Sequence, residues 1–467
     1  RDSLLGVWAI REHRRRMPAA VLLAALLAGA GFGAAAAWQE YRVATHPLRT
    51  AAVGTAVTVT VVPVDDPKLL PAKAFGARQW MVKAGLRQYR RGRVRVRVGG
   101  AVIVLASRGG WAGLLPGQPV EFRARVERPW RRDLTVAVLR AQGPPRPVGP
   151  APWWQRAAGS VRTHFATAAG RALAPDAAAL LPGLVDGDVS RLPDRVREDF
   201  RQTDLTHLVA VSGTNVSIVL IVSLEWMRRL TVGPRLRVVL GAIALAGFVV
   251  LARPSPTVLR AAIMGVVALL AVLMSRRKQA LPALCAATIG LIGYSPALAL
   301  DIGFALSVLA TTGLIVLSPR WSHWLEERGW RHRPAEMLAV ATAAFLLTAP
   351  LIVTLTGHVG LLAIVANILV EPVILPVTVI GTLGAIASCV WMPLGVAVLY
   401  LTAGPLWWLL FVSEYGASLG ISLPLPKGAR GGLATAVVVA GLLVLLHRIT
   451  RPSAIPDAES DEERAPP

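Results

Sequence analysis

The sequence predicts a polytopic α-helical membrane protein of about ten spans, with a small β-rich domain outside the membrane. Hydrophobic residues make up 54% of the 467 residues and charged residues only 16%, whereas soluble proteins carry roughly a quarter. With a mean hydropathy of +0.54, most of the chain must be solvated by lipid, because so much apolar surface cannot be hidden in soluble cores. A wholly soluble enzyme is therefore excluded.

Ten apolar stretches are close to the roughly 20 residues that cross hydrocarbon. They run from Met17 to Trp38, Leu205 to Trp226, Leu236 to Leu251, Thr257 to Met274, Leu281 to Ala297, Ile302 to Leu317, Ala335 to Leu355, Leu361 to Ala387, Leu394 to Phe411 and Leu433 to Leu446. The first follows a basic start and is predicted as a span, with a cleaved signal peptide as the alternative. Pro372 and Pro376 are expected to break or kink the eighth.

The loops between these stretches differ in charge. Lys and Arg concentrate in alternate loops, which the positive-inside rule places in the cytoplasm together with both chain ends. The short outer loops hold only Arg253, Lys427 and Arg430. The map leaves one long outer segment, Gln39 to Thr203, which holds most of the net charge of +23. The acidic tail, Asp457 to Pro467, is predicted to be disordered.

Four Val-rich stretches of the outer segment alternate apolar and polar residues, as half-buried strands do. They are Thr55 to Val62, Val94 to Leu105, Val120 to Glu127 and Leu134 to Leu139. Together they predict a small antiparallel barrel or sandwich. A Pro-rich linker, Pro144 to Pro152, follows. Trp153 to Leu173 is then predicted as an amphipathic helix, lying on the membrane surface or packing against another domain.

One predicted strand carries an arginine stripe. Arg91, Arg93, Arg95 and Arg97 alternate with valines, which would place all four on one face. This is either a solvated outer face or a phosphate-contacting surface, since the guanidinium fork suits phosphate oxygens. The neighbouring aromatic residues Trp80, Tyr89 and Trp111 are candidates for stacking on bases.

Polar residues enter the second apolar stretch in helical order. Asp204, His207 and Asn215 are predicted near one helix face, while Ser212 and Gly213 interrupt the apolar run. Polar groups at membrane depth normally face a bundle interior or an aqueous cavity. The alternative is a set of helix-to-helix hydrogen bonds, with Gly213 allowing close approach.

Five motifs resemble those of the ComEC family of competence proteins, inner-membrane channels through which transformable bacteria take up single-stranded DNA. They are the Gly187-Asp188 pair, HLVAVSGTNV from His207 to Val216, RPSPTVLRA from Arg253 to Ala261, SPALALDIGFALSVLATTGL from Ser295 to Leu314, and VANILVEPVILP from Val365 to Pro376. They follow the family's order, and the resemblance covers about Leu180 to Leu446.

The resemblance implies five regions. These are a cytoplasmic start and first transmembrane helix (1–38), an extracytoplasmic domain like the oligonucleotide/oligosaccharide-binding (OB) fold (39–150), a linker and amphipathic helix (151–203), a transmembrane channel domain (204–447) and a cytoplasmic tail (448–467). It also implies single-stranded DNA and the bilayer of the bacterial inner membrane as partners. Because the sequence begins at Arg1, further spans are expected before it.

Many family members continue into a metallo-β-lactamase-like domain, but the histidines here do not form the clustered HxHxDH spacing that such a dimetal site needs. No catalytic residue, metal or cofactor is therefore predicted. No Walker motif is present either, so the DNA receptor, the ATP-dependent motor and the nuclease are expected to be separate proteins. The sequence leaves open whether the chain forms a homo-oligomer.

Four further residues complete the predicted lining or gate of the conduit. These four are Arg260, Asp301, Asn367 and Glu371. They add to the four candidates His207, Ser212, Gly213 and Asn215. Arg260 fits a phosphate path, with snorkelling to headgroups as the alternative. Asp301 and Glu371 would pair with arginine or gate through a proton-dependent step, while Asp301 could instead cap the following helix. Glu371 is predicted near the bilayer midplane, one turn from Asn367.

Two other functions also fit parts of the sequence. A secondary transporter of a small anionic solute has broken helices and midplane charges as well. A membrane-embedded hydrolase would use His207 and Ser212, but their spacing of five residues points them apart on an ideal helix. The large basic outer segment favours the DNA channel over a carrier of small solutes.

Overall fold

A computed structural model describes residues 31, 33–70, 79–107, 109–130, 134–209, 213–253, 256–273, 280–360, 362–420 and 422–449. Most of the first predicted span, Ser212, the inner loop around Arg277 and the acidic tail lie outside these residues. Residues 33–44 are helical and lead into a single-turn helix, α1 (Pro47–Thr50), which precedes the β-rich domain.

The β-rich domain is a closed barrel. Its strands are β1 (Ala56–Pro63), β2 (Lys68–Leu69), β3 (Trp80–Arg91), β4 (Val94–Val96), β5 (Gly100–Ala106), β6 (Val120–Glu127), β7 (Thr135–Ala141) and β8 (Arg146–Pro147). The order is β1-β3-β5-β7-β6, and β1 pairs with both β3 and β6, which closes the sheet on itself. The β5–β7 pair is parallel, and the other pairs are antiparallel. The predicted β-rich domain is therefore present.

Alternation along the strands builds the barrel core, as β6 illustrates. Phe122, Ala124 and Val126 are buried, while Arg123 and Arg125 between them are exposed. Trp111 is fully buried and lies edge-on to Phe122, with ring centroids 4.8 Å apart. The alternation that predicts the strands is thus the alternation that fills the interior.

The predicted arginine strand is wrong. Val94 to Leu105 forms two strands, β4 and β5, and the long strand β3 before them was not predicted. Arg91 ends β3, Arg93 lies in the turn at Gly92, Arg95 is in β4 and Arg97 lies in the connection to β5. Gly92 adopts a φ of +60°, which favours a reversal of the chain at this point. A hairpin therefore replaces the continuous stripe.

Helices follow the barrel. They are α2 (Trp153–Ala172), α3 (Pro175–Val185), α4 (Asp194–Gln202), α5 (Thr206–Val209), α6 (Gly213–Arg229), α7 (Pro234–Ala252), α8 (Pro256–Leu273), α9 (Ala280–Tyr294), the 3₁₀ helix Pro296–Leu300, α10 (Ile302–Val316), α11 (Ser318–Glu327), α12 (His332–Thr356), α13 (Ala363–Val390), α14 (Met392–Tyr400), α15 (Ala403–Leu419) and α16 (Ala429–Ile449). Two short strands, β9 (His358–Gly360) and β10 (Ser422–Pro424), pair with each other.

Within the described part of the chain, five helices are long and apolar enough to cross a membrane. They are Arg235–Ala252, Ile302–Glu327 (α10 and α11 taken together), His332–Thr356, Ala363–Val390 and Ala429–Ile449. The count is six if α14 and α15, which meet at a 51° bend, form one span. Helix α9 is shorter, at 15 residues. The chain is thus a membrane protein by the length and composition of its helices, but the predicted ten spans are not confirmed.

One expectation about an individual span needs correction. Within the stretch Leu205 to Trp226 the structure describes α5 and α6, and residues 210–212 between them lie outside the described residues. Pro372 and Pro376 do not break the eighth stretch, because α13 continues through both. Trp408 of α15 donates a hydrogen bond of 2.8 Å to the Leu369 carbonyl, which is next to the Ile368 carbonyl whose helical donor Pro372 lacks.

Helices α2, α3 and α4 pack against α13, α14 and α15. Their shared core contains Phe165, Leu180 and Phe200 on one side and Val370 and Leu406 on the other. A Cβ at Gly381 of α13 would lie only 2.6 Å from Val185, so glycine allows α3 to approach closely. Of the two predictions for the helix after the linker, packing against another domain is the one observed.

The ends of the helices can be compared with the predicted topology. Arg253 at the end of α7 pairs with Asp66 of the barrel, and Asp204 lies against Gly360 of β9. Strand β9 pairs in turn with β10, between α15 and α16. The loops predicted to be outer therefore contact the predicted outer domain or one another.

Reporter fusions test this topology. We expect a fusion at Gly100 to report an extracytoplasmic position and fusions at Arg277 and Arg331 to report the cytoplasm, because basic loops are retained on the inner side. Alkaline phosphatase and a fluorescent protein, each active on one side only, provide the measurement. A cytoplasmic Gly100 would overturn the topology.

Candidate functional site

Arginines form a row across four strands of the barrel. Thr58 of β1 lies opposite Arg123 of β6 on one side and opposite Arg90 of β3 on the other, and Arg90 lies opposite Arg95 of β4. Arg125 of β6 lies beside Ala56, one step along the same face. All four arginines are exposed. We call Arg90, Arg95, Arg123 and Arg125 the basic face.

The basic face has the dimensions of a short stretch of nucleic-acid backbone. Three steps between neighbouring strands span roughly 14 Å, and the small side chains of Ala56 and Thr58 leave its middle open. The nearest acidic side chain that contacts it is Glu121, whose Oε1 is 4.0 Å from Arg90 Nη2. An exposed contact of this length contributes little, so the guanidinium groups remain available to an anion.

The aromatic residues proposed for base stacking are not available. Tyr89 and Trp111 are buried in the barrel core, and Trp80 packs against that core. Of the four arginines in the predicted stripe, the structure places Arg95 on the basic face and the other three elsewhere on the hairpin or its connection. The partners of Arg95 on the basic face were not predicted, because only strand pairing brings them together.

The motif from His207 to Val216 makes hydrogen bonds to residues that precede it in the chain. His207 is exposed, and its Nδ1 donates to the carbonyl oxygen of Asp204 at 3.0 Å. Asn215 is buried, and its Nδ2 donates to the Leu184 carbonyl at 2.6 Å. Asp204 precedes α5 and has a φ of +57°, so it does not share a helix face with His207. Ser212 lies outside the described residues.

The Gly187-Asp188 pair forms the turn that ends α3. The N–H groups of Asp186 and Gly187 both donate to the Pro182 carbonyl, and Gly187 has a φ of +78°. A glycine suits this left-handed position after a helix. The Asp186 carboxylate accepts from the N–H of Asp188, which holds the turn closed. The pair thus shapes a loop that carries two carboxylates.

These two carboxylates and that of Asp66 meet two arginines at the junction of barrel and helices. Arg162 of α2 lies 3.9 Å from Asp186, 3.8 Å from Asp188 and 3.2 Å from Asp66 of the barrel. Arg253 lies 2.9 Å from Asp66 and also donates to Gln155. We call Asp66, Gln155, Arg162, Asp186, Asp188 and Arg253 the junction cluster. The sequence patterns identify Asp188 as a motif residue and Arg253 only as an outer-loop charge in a motif, so the cluster itself was not predicted.

Asp186 is the most deeply buried member, with 1% of its surface exposed. Burial raises the pKa of Asp186 to about 7, although the Arg162 guanidinium opposes the rise. The negative charges of Asp188 and Asp66 also raise the pKa of Asp186. The carboxyl group of Asp186 therefore changes protonation near neutral pH.

Arg260 of α8 is buried and, in the described residues, has no carboxylate partner. Its Nη1 donates to Thr311 of α10 at 2.7 Å and lies 3.4 Å from the sulfur of Met264, while its Nε has no partner. The exposed fraction of 4% argues against snorkelling to the headgroups. A guanidinium with spare donors between two helices can bind a transient anion.

The remaining candidates behave differently from one another. Asp301 caps α10 by accepting from the N–H of Phe304 at 2.7 Å, so the capping alternative is the one observed. Asn367 donates to the Ala363 carbonyl of its own helix. Glu371 is exposed and, among the described residues, has no hydrogen bond or ion pair; the charge that acts on it is the like charge of Glu336. Pairing of Glu371 with arginine is thus not observed.

A cavity of about 330 Å³ lies between α3, α4 and α15 and was not predicted. Arg195 at its edge contacts Asp176 and Glu414, and Trp407 and Phe411 form an apolar wall. In the described part of the chain, no group of His, Cys, Asp and Glu has the arrangement of a metal site. No sequence signal links these residues, because they come from three distant helices.

The fold and these residues define a class: a polytopic membrane protein with an extramembrane barrel, a basic barrel face and a buried arginine between membrane helices. A family model described as Competence protein matches residues 184–450, more than half of the chain. The chain belongs to this family, the ComEC-type competence proteins, as the motifs indicated.

The chain is also similar to ComE operon protein 3 of Bacillus subtilis (strain 168), with 27% identity over 228 residues. This alignment covers 48% of the chain and 29% of the relative, so the chain corresponds to less than a third of that protein. No solved structure matches the chain.

Proposed function

We propose that the chain is an inner-membrane channel that imports single-stranded DNA during natural transformation. One observation carries the proposal. The same chain contains a helical region of the competence family and a barrel whose outer surface bears the basic face. A conduit for DNA needs cations at its entrance, because phosphate neutralisation supplies most of the affinity for a nucleic-acid backbone.

The barrel topology supports this proposal. A five-stranded barrel with the order β1-β3-β5-β7-β6 and one parallel pair has the strand arrangement of an OB fold. OB folds bind oligonucleotides through grooves that combine basic and stacking residues. In this chain the basic component is evident, and binding is expected to be mainly electrostatic.

The helical region offers a path for phosphate. Arg260 presents an unsatisfied Nε donor without a neutralising carboxylate among the described residues, and Asp301 is occupied in capping α10. Fixed cations and few fixed anions are what a phosphate conduit requires. Glu371 would then act as a proton-dependent gate, since no described arginine neutralises it. No catalytic step is assigned to any of these residues, and no cofactor is invoked.

A secondary transporter of a small anionic solute is the second candidate. The observation in its favour is the 51° bend between α14 and α15, because transporters bind substrates at broken helices. A carrier of small solutes gains nothing from the basic face, so loss of function on neutralising that face distinguishes the two functions. DNA receptor, motor and nuclease activities are assigned to separate proteins, and self-association stays open.

Genetic complementation is the direct test. We expect deletion of the gene to abolish uptake of labelled DNA into the cytoplasm while leaving DNA bound at the cell surface, and we expect this chain to restore uptake. Transformation frequency and DNase-protected label provide the measurements. Normal uptake in the deletion strain would refute the proposal.

Neutralising the basic face should weaken DNA binding by the purified full chain. We expect replacement of Arg90, Arg95, Arg123 and Arg125 by Gln to reduce the slope of log affinity against log salt by about 2 to 3, because each phosphate contact to a single strand contributes about 0.7. Fluorescence anisotropy with an oligonucleotide at several salt concentrations provides the measurement.

A control with equal charge loss replaces Arg87, Arg91, Arg93 and Arg97, which are exposed but lie off the row. This variant should change the slope much less. Equal effects of the two variants would mean that net charge, and not the basic face, governs binding.

A further inference from the structure

The junction cluster connects three parts of the chain that carry different roles. Asp66 belongs to the barrel, in the loop between β1 and β2. Gln155 and Arg162 belong to α2, and Asp186 and Asp188 to the turn after α3. Arg253 lies in the turn between α7 and α8. The barrel is therefore tied to the helices through the half-buried carboxylate of Asp66 and two buried arginines, Arg162 and Arg253.

Arg253 and Asp66 form a two-point ion pair. Nε of Arg253 is 3.0 Å from Oδ2 of Asp66, and Nη2 is 2.9 Å from Oδ1. Arg253 and Arg162 are 5% and 8% exposed. Removing one partner of a buried pair leaves the other charge buried and uncompensated, which destabilises the contact between the two elements.

The backbone of Arg253 supplies an independent observation. Its φ of +67° and ψ of 145° lie in a region that residues with a side chain rarely adopt. Such strain persists only where surrounding contacts over-determine the conformation, and it is found at switch regions. Here Asp66 and Gln155 hold the side chain, so the contact with the barrel maintains the strained turn.

The turn leads directly into the conduit residues. Helix α8 begins at Pro256, and Arg260 lies about one turn further on. Arg162 also donates to the Leu251 carbonyl at the end of α7. On the other side of the cluster, α3 carries the Leu184 carbonyl that holds Asn215 of α6. Both α6 and α8 are thus connected to the barrel through the junction cluster.

We propose that Arg253 is a positioning residue that couples the barrel to the conduit. While Asp66 holds the side chain of Arg253 (the clasp), the backbone of Arg253 at the end of α7 keeps α8 and Arg260 in one position, and movement of the barrel away from the helices releases Arg253. This inference rests on the proposed function, because it assumes that the barrel meets the DNA before Arg260 does. Nucleic acid on the basic face would act on α8 by displacing Asp66.

A charge exchange tests the clasp in the full-length protein. Asp66→Lys and Arg253→Glu each place like charges together, and the double variant restores an opposite pair. Spin labels at Lys83→Cys on the barrel and Val239→Cys on α7, in a Cys285→Ala, Cys389→Ala background, report the separation of barrel and helices. Oligonucleotide binding and cellular uptake are measured with the same variants.

We expect each single variant to broaden or lengthen the label-to-label distance and to reduce uptake at least tenfold, with oligonucleotide affinity within twofold of the parent. The double variant should recover part of the distance and part of the uptake, because it restores the pair between positions 66 and 253 while the lysine at position 66 still faces Arg162. Unchanged distances in the single variants would overturn the clasp, and changed distances with full uptake would overturn the coupling.

Two further variants apply if the exchanges reduce protein abundance. Arg253→Gly removes the clasp and relieves the backbone strain, while Arg253→Lys keeps the charge. The glycine variant should be abundant and uncoupled, and the lysine variant should retain partial coupling. A glycine variant with wild-type distances and uptake would overturn the proposal.

The proposed function and the coupling through Arg253 can be tested separately. If the parent protein imports no DNA in the complementation assay, uptake says nothing about the coupling, but the label-to-label distance still tests it. An oligonucleotide should then shift the distance in the parent and have no effect on it in Arg253→Gly. An identical response, or no response, in both proteins would reject the coupling itself.

The clasp should also depend on pH. Asp186 faces Arg162, Asp188 and Asp66, and its protonation changes closer to neutral pH than that of a free carboxyl group. Moving the barrel away from the helices removes the Asp66 charge, which raises the pKa of Asp186, so the docked state binds this proton more tightly and docking weakens as the pH rises through about 7. Asp186→Asn should remove this dependence of the label distance between pH 5 and 8; a retained dependence would assign it to another group.

Discussion

Replacing Arg260 by alanine is expected to reduce DNA uptake by roughly 10- to 150-fold without lowering the amount of protein in the membrane. A hydrogen bond to a charged group contributes about 1.5 to 3 kcal/mol. Since about 1.4 kcal/mol is a factor of ten, loss of one such contact to each passing phosphate corresponds to a roughly 10- to 150-fold reduction in uptake. Abundance should hold, because a charge at membrane depth costs roughly 2.5 to 3.5 kcal/mol on insertion scales and alanine removes that cost. Quantitative immunoblotting and transformation frequency, measured side by side, test both statements.

Matched variants separate a role in the path from a role in packing. Thr311→Val removes the acceptor of Arg260 and should misplace the guanidinium, giving a smaller loss of uptake. Val266→Ala alters an exposed position of the same helix and should have no effect. A parallel fall of abundance and uptake in Arg260→Ala would identify a packing residue, and normal uptake would remove Arg260 from the conduit.

Replacing Glu371 by glutamine is expected to leave the protein inserted and abundant and to reduce uptake by on the order of tenfold or more. In the described structure the carboxylate has no bond that the amide would break, so stability should be unaffected. An ionisable group without a protein partner at membrane depth requires water or an aqueous path. Glutamine mimics the neutral form, so it should fix one state of a proton-dependent gate and remove any dependence of uptake on external pH.

The control for Glu371 is a change on the same helix that leaves the charge in place. Val365→Ala alters an exposed residue on another side of α13 and should preserve uptake. Uptake equal to the parent at every pH in Glu371→Gln would exclude the gate.

The strands of the barrel illustrate how far a local pattern predicts structure. Val120 to Glu127 alternates regularly, and its predicted bounds are the observed bounds of β6. Strand β3 was missed because a register irregularity in its pairing with β1 interrupts the alternation near Gln88. The arginine stripe failed for a related reason, since one turn at Gly92 divides it between two strands. Local alternation identifies strands but not where a strand reverses.

Composition and apolar periodicity by themselves determined the membrane class, the β-rich domain and the positions of most helices, because burial of apolar surface depends on residues that are neighbours in sequence. The five motifs also indicated the family, since each is a short local string. Only the tertiary structure decided which charges meet: Asp66 pairs with Arg253 across 187 positions, and strand pairing assembles the basic face from β3, β4 and β6. Contacts between distant residues follow from how whole elements pack, and no local pattern of charge specifies that packing.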